Sequence, residues 1–190
     1  MSRTVEMTRL PPAAGVLRCV LRLPPAPLGI AVRAARVTEL RFYPAWRGTA
    51  RRAAGPPADD DSEALLQSLG EALLAYFGER RALPRDLPLA HCGTPFQRRV
   101  WRALAAVPMG GVVSYGDLAR RLHSGARAIG GACAANPFPV LIPCHRVVAA
   151  DGGLGGYTAA TGRVRARALK RWLLHHEGVA GFDTAARRTH

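Results

Sequence analysis

Acidic residues are scarce in this chain and lysine is nearly absent. Its 190 residues include 13 Asp and Glu against 27 Arg and Lys, and Lys170 is the one lysine. A formal net charge of +14 excludes an acidic solvating sequence and favours a polyanionic partner such as nucleic acid, anionic lipid or the ribosome. Cysteine is also sparse. Cys19, Cys92, Cys133 and Cys144 contain no C-x-x-C pair, which excludes a disulfide-stapled scaffold. Cys19, His91 and Cys92 fall short of a metal-ligand set, so no metal is expected. No apolar run reaches the roughly 18 residues of a membrane span, and Met1 to Glu6 open no signal-peptide core. The expectation is a cytoplasmic, reduced protein without membrane contact. What is present is 48% apolar residues, enough to build a core and to exclude wholesale disorder.

The charge is unevenly spread. Residues 1–90 carry 13 basic and 9 acidic residues, a net of +4, whereas residues 91–190 carry 14 and 4, a net of +10. The polyanion signal lies in the second half. Much of the preference for Arg over Lys has no functional explanation.

The first half alternates short apolar runs with turns. Leu17 to Leu23 reads as a strand with Leu17, Cys19, Leu21 and Leu23 on one face, and the prolines from Pro24 end it. Gly29 to Val32 and Val37 to Tyr43 are further strands of a small antiparallel sheet. Trp46 to Asp61 reads as a loop. Ser62 then caps a helix to about Phe77, with Leu65, Leu66, Leu69, Leu73, Leu74 and Phe77 as its stripe and Gly78 as its stop. The expected architecture is α+β. A sheet-and-helix domain spans 1–85, a linker 86–93, a mainly helical domain 94–180, and a basic flexible tail 181–190.

The second half opens on a capping box, Thr94-Pro95-Phe96-Gln97. Phe96, Val100, Trp101 and Leu104 bury one face of that helix. Pro108 to Gly111 turns the chain, and Val112-Val113 is extended. Ser114 to Asp117 starts a second helix with Leu118 and Leu122 inward, and Ser124-Gly125 breaks it. A third, small-sided helix covers about Arg127 to Ala135, and Asn136-Pro137 ends it. Two short helices joined by a glycine-containing break form a helix-turn-helix pattern. Arg127 occupies the first turn of the second of these, the end that faces DNA in such motifs. Taken alone, local pattern favours a solvated surface arginine.

Chemistry concentrates in Pro139 to Val148, where an apolar run leads into Pro143-Cys144-His145-Arg146. A cysteine ending such a run is usually inert packing. A neighbouring His and Arg would lower the thiol pKa, and a thiolate attacks carbon readily. Extended neighbours point apart, so His145 needs a water or a bent backbone to reach the sulfur, and a carboxylate to orient its ring. Of the four acids in this half, Asp117 suits a helix cap and Asp151 a turn. Glu177 follows an apolar helix, either as the partner of His145 or as a solvated helix-end carboxylate. Gly152 to Tyr157 lacks the Lys-Ser/Thr of a P-loop and suits the wall of a ligand pocket, or a plain connector. These residues also allow a non-enzymatic DNA binder or a cysteine hydrolase, although adjacent Cys and His make poor triad geometry. A ribosome-associated basic protein would leave Pro143 to Arg146 unexplained.

Pro143-Cys144-His145-Arg146-Val147 resembles the active-site motif of the O6-alkylguanine-DNA alkyltransferases (methylated-DNA–protein-cysteine methyltransferases). Phe96 to Trp101, Val113 to Ala119, Arg127 to Ala132, Asn136-Pro137 and Leu141 to Val148 resemble that family's DNA-binding and catalytic domain in the same order, over about residues 93–178. The resemblance implies a winged helix-turn-helix that grips duplex DNA and flips an alkylated guanine into a pocket. Arg127 would fill the gap left by the base, with Tyr115, Ser114, Ala126 and Gly130 also at the DNA. Tyr115 would crowd the target phosphate and donate a proton to the departing guanine oxygen. Cys144 would take the alkyl group from O6-alkylguanine, and from O4-alkylthymine, as a stable thioether. His145, held by Glu177 and acting through a water, would accept the thiol proton, while Asn136 would hold the turn. Backbone groups at Cys144 and Val147 and the N–H of Thr158 would read the base, with Val148, Tyr157, Pro139 and Cys133 lining the pocket. The reaction would be stoichiometric, cofactor-free and performed by a monomer. The Arg-rich stretch Arg163, Arg165, Arg167, Lys170 and Arg171 would enlarge the pocket-side loop or add phosphate contacts.

Overall fold

The computed structural model describes residues 7–13, 16–23, 26–43, 59–157 and 166–182. The expected loop at 46–61 lies mostly outside these, as do Thr158, Arg163, Arg165 and residues 183–190. The architecture is α+β, and the chain divides into two compact units between His91 and Cys92.

The first unit is a four-stranded antiparallel sheet in the order β1-β2-β3-β4, formed by Met7–Ala13, Val16–Leu21, Leu28–Arg33 and Arg36–Phe42. Strand β1 escapes sequence reading because Pro11 and Pro12 interrupt it. A proline cannot donate to a ladder and survives only at an edge or irregularity; β1 is an edge strand whose register shifts between Leu10 and Ala13. Helix α1, Asp60–Glu79, packs on β2 and β3. Leu66, Leu69, Leu73, Tyr76 and Phe77 of α1 are buried, as are Leu28, Ile30, Val32, Leu40 and Phe42 of the sheet.

Two expectations for α1 need correction. Asp59, not Ser62, is the N-cap, accepting from the Ser62 backbone N–H at 2.7 Å. Ser62 is buried, donates from its hydroxyl to Asp59 and accepts the Ala35 N–H at 2.8 Å. That bond steadies the β3–β4 turn, where Ala34 and Ala35 both hold positive φ. Such two-residue hairpin turns require left-handed residues at both positions. At its far end α1 runs through Gly78 and stops at Arg80, which is left-handed (φ 55°) and returns its N–H to Ala75. The expected linker is also partly tied down. Val37 donates to Pro88 and accepts from Ala90, both at 2.8 Å, so 88–90 lie along β4.

The second unit comprises α2 (Pro95–Ala105), β5 (Val113–Ser114), α3 (Tyr115–Arg121), α4 (Ala126–Ala134), a 3₁₀ turn at Cys144–Arg146, β6 (Val147–Val148) and α5 (Ala166–His176). The Thr94–Gln97 capping box forms as expected. Val100, Trp101 and Leu104 are buried, while Phe96, in the first turn, is only half-buried. Trp101 Nε1 donates to Ala132 O at 2.8 Å, fastening α2 to α4. Leu122 is the half-buried C-cap of α3 rather than a core residue. Phe182 packs with Val148, Leu154 and Leu174, so ordered packing continues past the expected start of a tail at 181. No helix among the described residues is long and apolar enough to cross a membrane.

Candidate active site

Strands β5 and β6 pair in parallel, Val113 with Val147 and Ser114 with Val148. This joins two segments that are distant in sequence. Tyr115 begins α3 immediately after β5, and the Cys144–Arg146 turn ends immediately before β6. The chain is therefore bent at the Cys-His pair, not extended.

Cys144 is 1% exposed. Asn136 braces the segment that leads to it: its Nδ2 donates to Ile142 O at 2.8 Å and lies 3.4 Å from Cys144 Sγ, and its Oδ1 accepts from Phe138 N at 3.0 Å. Inside that brace Val140 sits at φ 76°. A β-branched residue there is strained and persists only where its surroundings over-determine it.

The bend brings the His145 Nε2 edge and the Arg146 guanidinium onto Glu177. His145 is wholly buried, with Nε2 2.9 Å from Glu177 Oε1. Arg146 forms a bidentate pair with Glu177, Nε to Oε2 and Nη2 to Oε1 at 2.8 Å each, and its Nη1 donates to Val107 O at 2.6 Å. The Glu177 side chain has no exposure, so the solvated helix-end reading is overturned. Burial pushes the Glu177 carboxyl up, but the hydrogen bonds from His145 and Arg146 and the Arg146 charge outweigh it and hold the group well below the usual carboxylate range. Burial likewise lowers His145, and Glu177 offsets this only in part. The imidazole is therefore neutral, and the charge that keeps Glu177 ionised is that of Arg146. A neutral ring facing a carboxylate carries its proton on Nε2, which leaves Nδ1 an acceptor. Nδ1 is buried and has no hydrogen-bond partner among the described residues.

The expected lowering of the thiol pKa does not occur. Burial raises Cys144, and the opposing effects of Asn136, Lys170 and Tyr157 are smaller. The resting group is a thiol that needs a base, because its cationic neighbour is spent on Glu177. Cys133 is buried and pushed up to about 12, first by burial and then by Cys144.

The other expected residues are placed as follows. Tyr115 donates to Gly156 O at 3.0 Å, and burial, then Cys133 and Cys144, push its phenol upward. Gly155, at φ 59°, lets the loop pass the Tyr115 ring; a Cβ there would lie 3.0 Å from it. Val147, Val148, Tyr157 and Pro139 are buried. Arg127 and Ala126 are exposed on the first turn of α4, whose N-cap, Gly125, makes no side-chain cap bond. Gly130 is half-buried below the Tyr115 ring. The Ser114 hydroxyl is engaged in the cap of α3, bonded to Asp117 N at 3.0 Å and Oδ2 at 2.7 Å, rather than open at the surface.

Two residues were missed in the sequence. Arg146 was read only as a neighbour of the thiol. Lys170, read as part of an arginine-rich surface, is instead fully buried, bonded to the carbonyls of Val147, Leu154 and Gly156. Helical spacing could have found it. Ala166, Leu169, Lys170, Leu173 and Leu174 are the buried stripe of α5, and Lys170 stands where an apolar residue belongs.

Residues 95–179 match the family described as 6-O-methylguanine DNA methyltransferase, DNA binding domain. The methylated-DNA–protein-cysteine methyltransferase of Salmonella typhimurium is 46% identical over 112 residues, which is 58% of this chain and 62% of that protein. The DNA base-flipping protein of Thermus thermophilus is 43% identical over 126 residues, 66% of this chain and 80% of that one. Among solved structures, the Mycobacterium tuberculosis O6-methylguanine methyltransferase matches with a TM-score of 0.65 at 29% identity, over 90% of this chain and 93% of that one. OGT of the same organism, in complex with DNA, matches with a TM-score of 0.60 at 36% identity, over 80% and 86%. The fold and its second unit are of the O6-methylguanine methyltransferase type. The chain belongs to the O6-methylguanine-DNA methyltransferase family. The aligned region spans 62% of the length of the Salmonella relative.

Proposed function

We propose that this protein repairs alkylated DNA by moving the alkyl group from O6-alkylguanine, and from O4-alkylthymine, in duplex DNA onto its own Cys144. The observation that carries this reading is the ordered series Arg146–Glu177–His145 beside a buried thiol. Arg146 keeps Glu177 ionised, Glu177 fixes the imidazole tautomer, and Nδ1 remains a base beside the cysteine. A water between Nδ1 and Sγ relays the thiol proton to the ring. Sulfur then forms a bond to the alkyl carbon, the carbon–O6 bond breaks, and its electron pair stays on the guanine oxygen. Tyr115, protonated at neutral pH, exchanges its Gly156 acceptor for the base and supplies the proton that neutralises it. A thioether does not hydrolyse, so each chain acts once.

The DNA surface is α4. Its first turn presents Arg127 beside an N-terminus with unoccupied side-chain capping, and its small side chains fit a minor groove about 6 Å wide. Flipping a base costs a few kcal/mol of unstacking, and Arg127 in the gap offsets part of that. The net +10 of residues 91–190 holds the duplex mainly through phosphates, without reading sequence. Val147, Val148, Tyr157, Pro139 and Cys133 line the base pocket, and the protein works as a monomer in the cytoplasm.

The test is single-turnover methyl transfer from an O6-methylguanine duplex, with one equivalent of methyl per chain as the expected endpoint. Arg127→Ala should slow that transfer on the order of tenfold, the scale of a few kcal/mol of flipping cost only partly met. The same variant should react with free O6-methylguanine base at the wild-type rate. Equal loss on duplex and free base would remove Arg127 from the flipping step.

A further inference from the structure

Arg99, exposed on α2, reaches across to the end of α3: its Nη2 donates to Leu122 O at 2.7 Å, 23 residues along the chain. Its neighbour Arg98 bonds Gly93 O beside the start of its own helix, and Arg120 pairs with Asp117 within α3. Unlike these two, Arg99 ties one helix to another. Helix α3 closes in a Schellman motif, in which His123, left-handed at φ 48°, donates to Arg120 O at 3.2 Å and Ser124 N donates to Ala119 O at 2.9 Å. That conformation is sterically disfavoured for a histidine. The two bonds satisfy carbonyls inside the helix. The Leu122 carbonyl, at the C-cap, lies beyond them and takes its donor from Arg99. A cation there also meets the negative end of the helix dipole. Helix α4 follows at once from Gly125, which makes no side-chain cap bond, and residues 125–128 are all exposed. Packing resumes at Ile129, and the Trp101 bond to Ala132 O holds the next turn. The first turn of α4, which carries Arg127, is therefore located chiefly by the α3–α4 turn behind it.

We propose that Arg99 is a positioning residue for Arg127: by fastening the Leu122 carbonyl it fixes the α3–α4 turn, and so sets where the first turn of α4 presents Arg127 to the base stack. The proposal rests on the assignment of Arg127 to base flipping. A turn pinned in advance loses little order when Arg127 enters the duplex, whereas an unpinned one must be ordered at that moment, at a cost in conformational entropy. The effect of Arg99 therefore falls on extrusion of the base from duplex DNA. The chemistry at Cys144 does not depend on it.

Arg99→Met keeps the aliphatic stem and removes the charge and the donors. Single-turnover transfer from an O6-methylguanine duplex is expected to slow about fivefold, the scale of one net hydrogen bond. Transfer from free O6-methylguanine base should stay at the wild-type rate. In an Arg127→Ala background, Arg99→Met should cost nothing further, because the side chain it positions is gone. In the free protein, exchange of the Ser124 amide hydrogen should quicken while the Trp101 indole N–H keeps its protection. The salt dependence of duplex affinity should be unchanged. An arginine that only contacts phosphate gives the opposite pattern: a salt slope shallower by about one unit, the same loss with and without Arg127, and unaltered Ser124 exchange. That pattern, a wild-type duplex rate in Arg99→Met, or equal loss on duplex and free base would each overturn the proposal. If the double variant does not fold, Ser124 exchange and the salt slope of Arg99→Met decide it. Arg127→Ala at the wild-type duplex rate would defeat the underlying reading instead, and that result needs no Arg99 variant.

Discussion

Cys144→Ala is expected to abolish methyl transfer while holding damaged duplex DNA within about threefold of wild-type affinity, because phosphate contacts carry most of the binding energy. The substitution removes one sulfur from a site braced independently by Asn136, whose bonds to Ile142 and Phe138 remain. Small buried truncations of this kind cost on the order of 1 kcal/mol, so the fold should survive and the loss will be chemical. Binding measured by fluorescence anisotropy and transfer measured on the same preparation separate the two. Residual transfer above background would mean that another residue, with Cys133 the nearest alternative, accepts the alkyl group. Joint loss of binding and transfer would mean that the cysteine is packing rather than chemistry.

The second large effect belongs to Glu177. Glu177→Ala leaves the Arg146 guanidinium buried with Val107 O as its remaining partner among the described residues, and frees the His145 ring. Removing one member of a buried ion pair costs about 3–5 kcal/mol, a large share of the roughly 5–15 kcal/mol that holds a domain of this size. Chemical denaturation should show it directly. Transfer should fall as well, since the imidazole loses the contact that fixes its tautomer. The pH dependence carries a sign. The folded Glu177 carboxyl is held below its unfolded value, so its stabilisation is fully present above the ordinary carboxylate range. It is lost as pH falls through that range toward the depressed folded value. Wild-type protein should therefore lose stability in acid more steeply than Glu177→Gln, whose neutral amide has no such proton to take up. Parallel acid titrations of the two would contradict the ion-pair account.

The site was legible where chemistry and local pattern coincide. Thr94-Pro95-Phe96-Gln97 announces a helix start because both halves of a capping box lie within four consecutive residues. Cys144, His145 and Asn136 could be assigned from the motifs that hold them. The failures have a common cause: each depends on a direction or partner that tertiary structure supplies. Adjacent basic residues suggested an acidified thiol, but the 3₁₀ turn directs Arg146 and His145 to Glu177, and burial then raises Cys144. Ser62 had the right chemistry for a cap, yet Asp59 takes that role and the hydroxyl serves the Ala35 turn. Strand β1 was hidden by its prolines and exists because an edge tolerates them. Lys170 was grouped with arginines by charge, whereas its position in the α5 stripe says more than its charge does.

The most direct test of Cys144 as the alkyl acceptor is peptide mass spectrometry after incubation with a stoichiometric O6-methylguanine duplex under reducing conditions. The expected result is a single methyl on the peptide containing Cys144, rising to one equivalent and then stopping, with guanine restored in the DNA. An unmodified Cys144 peptide alongside restored guanine, or methyl transfer exceeding one per chain, would contradict it.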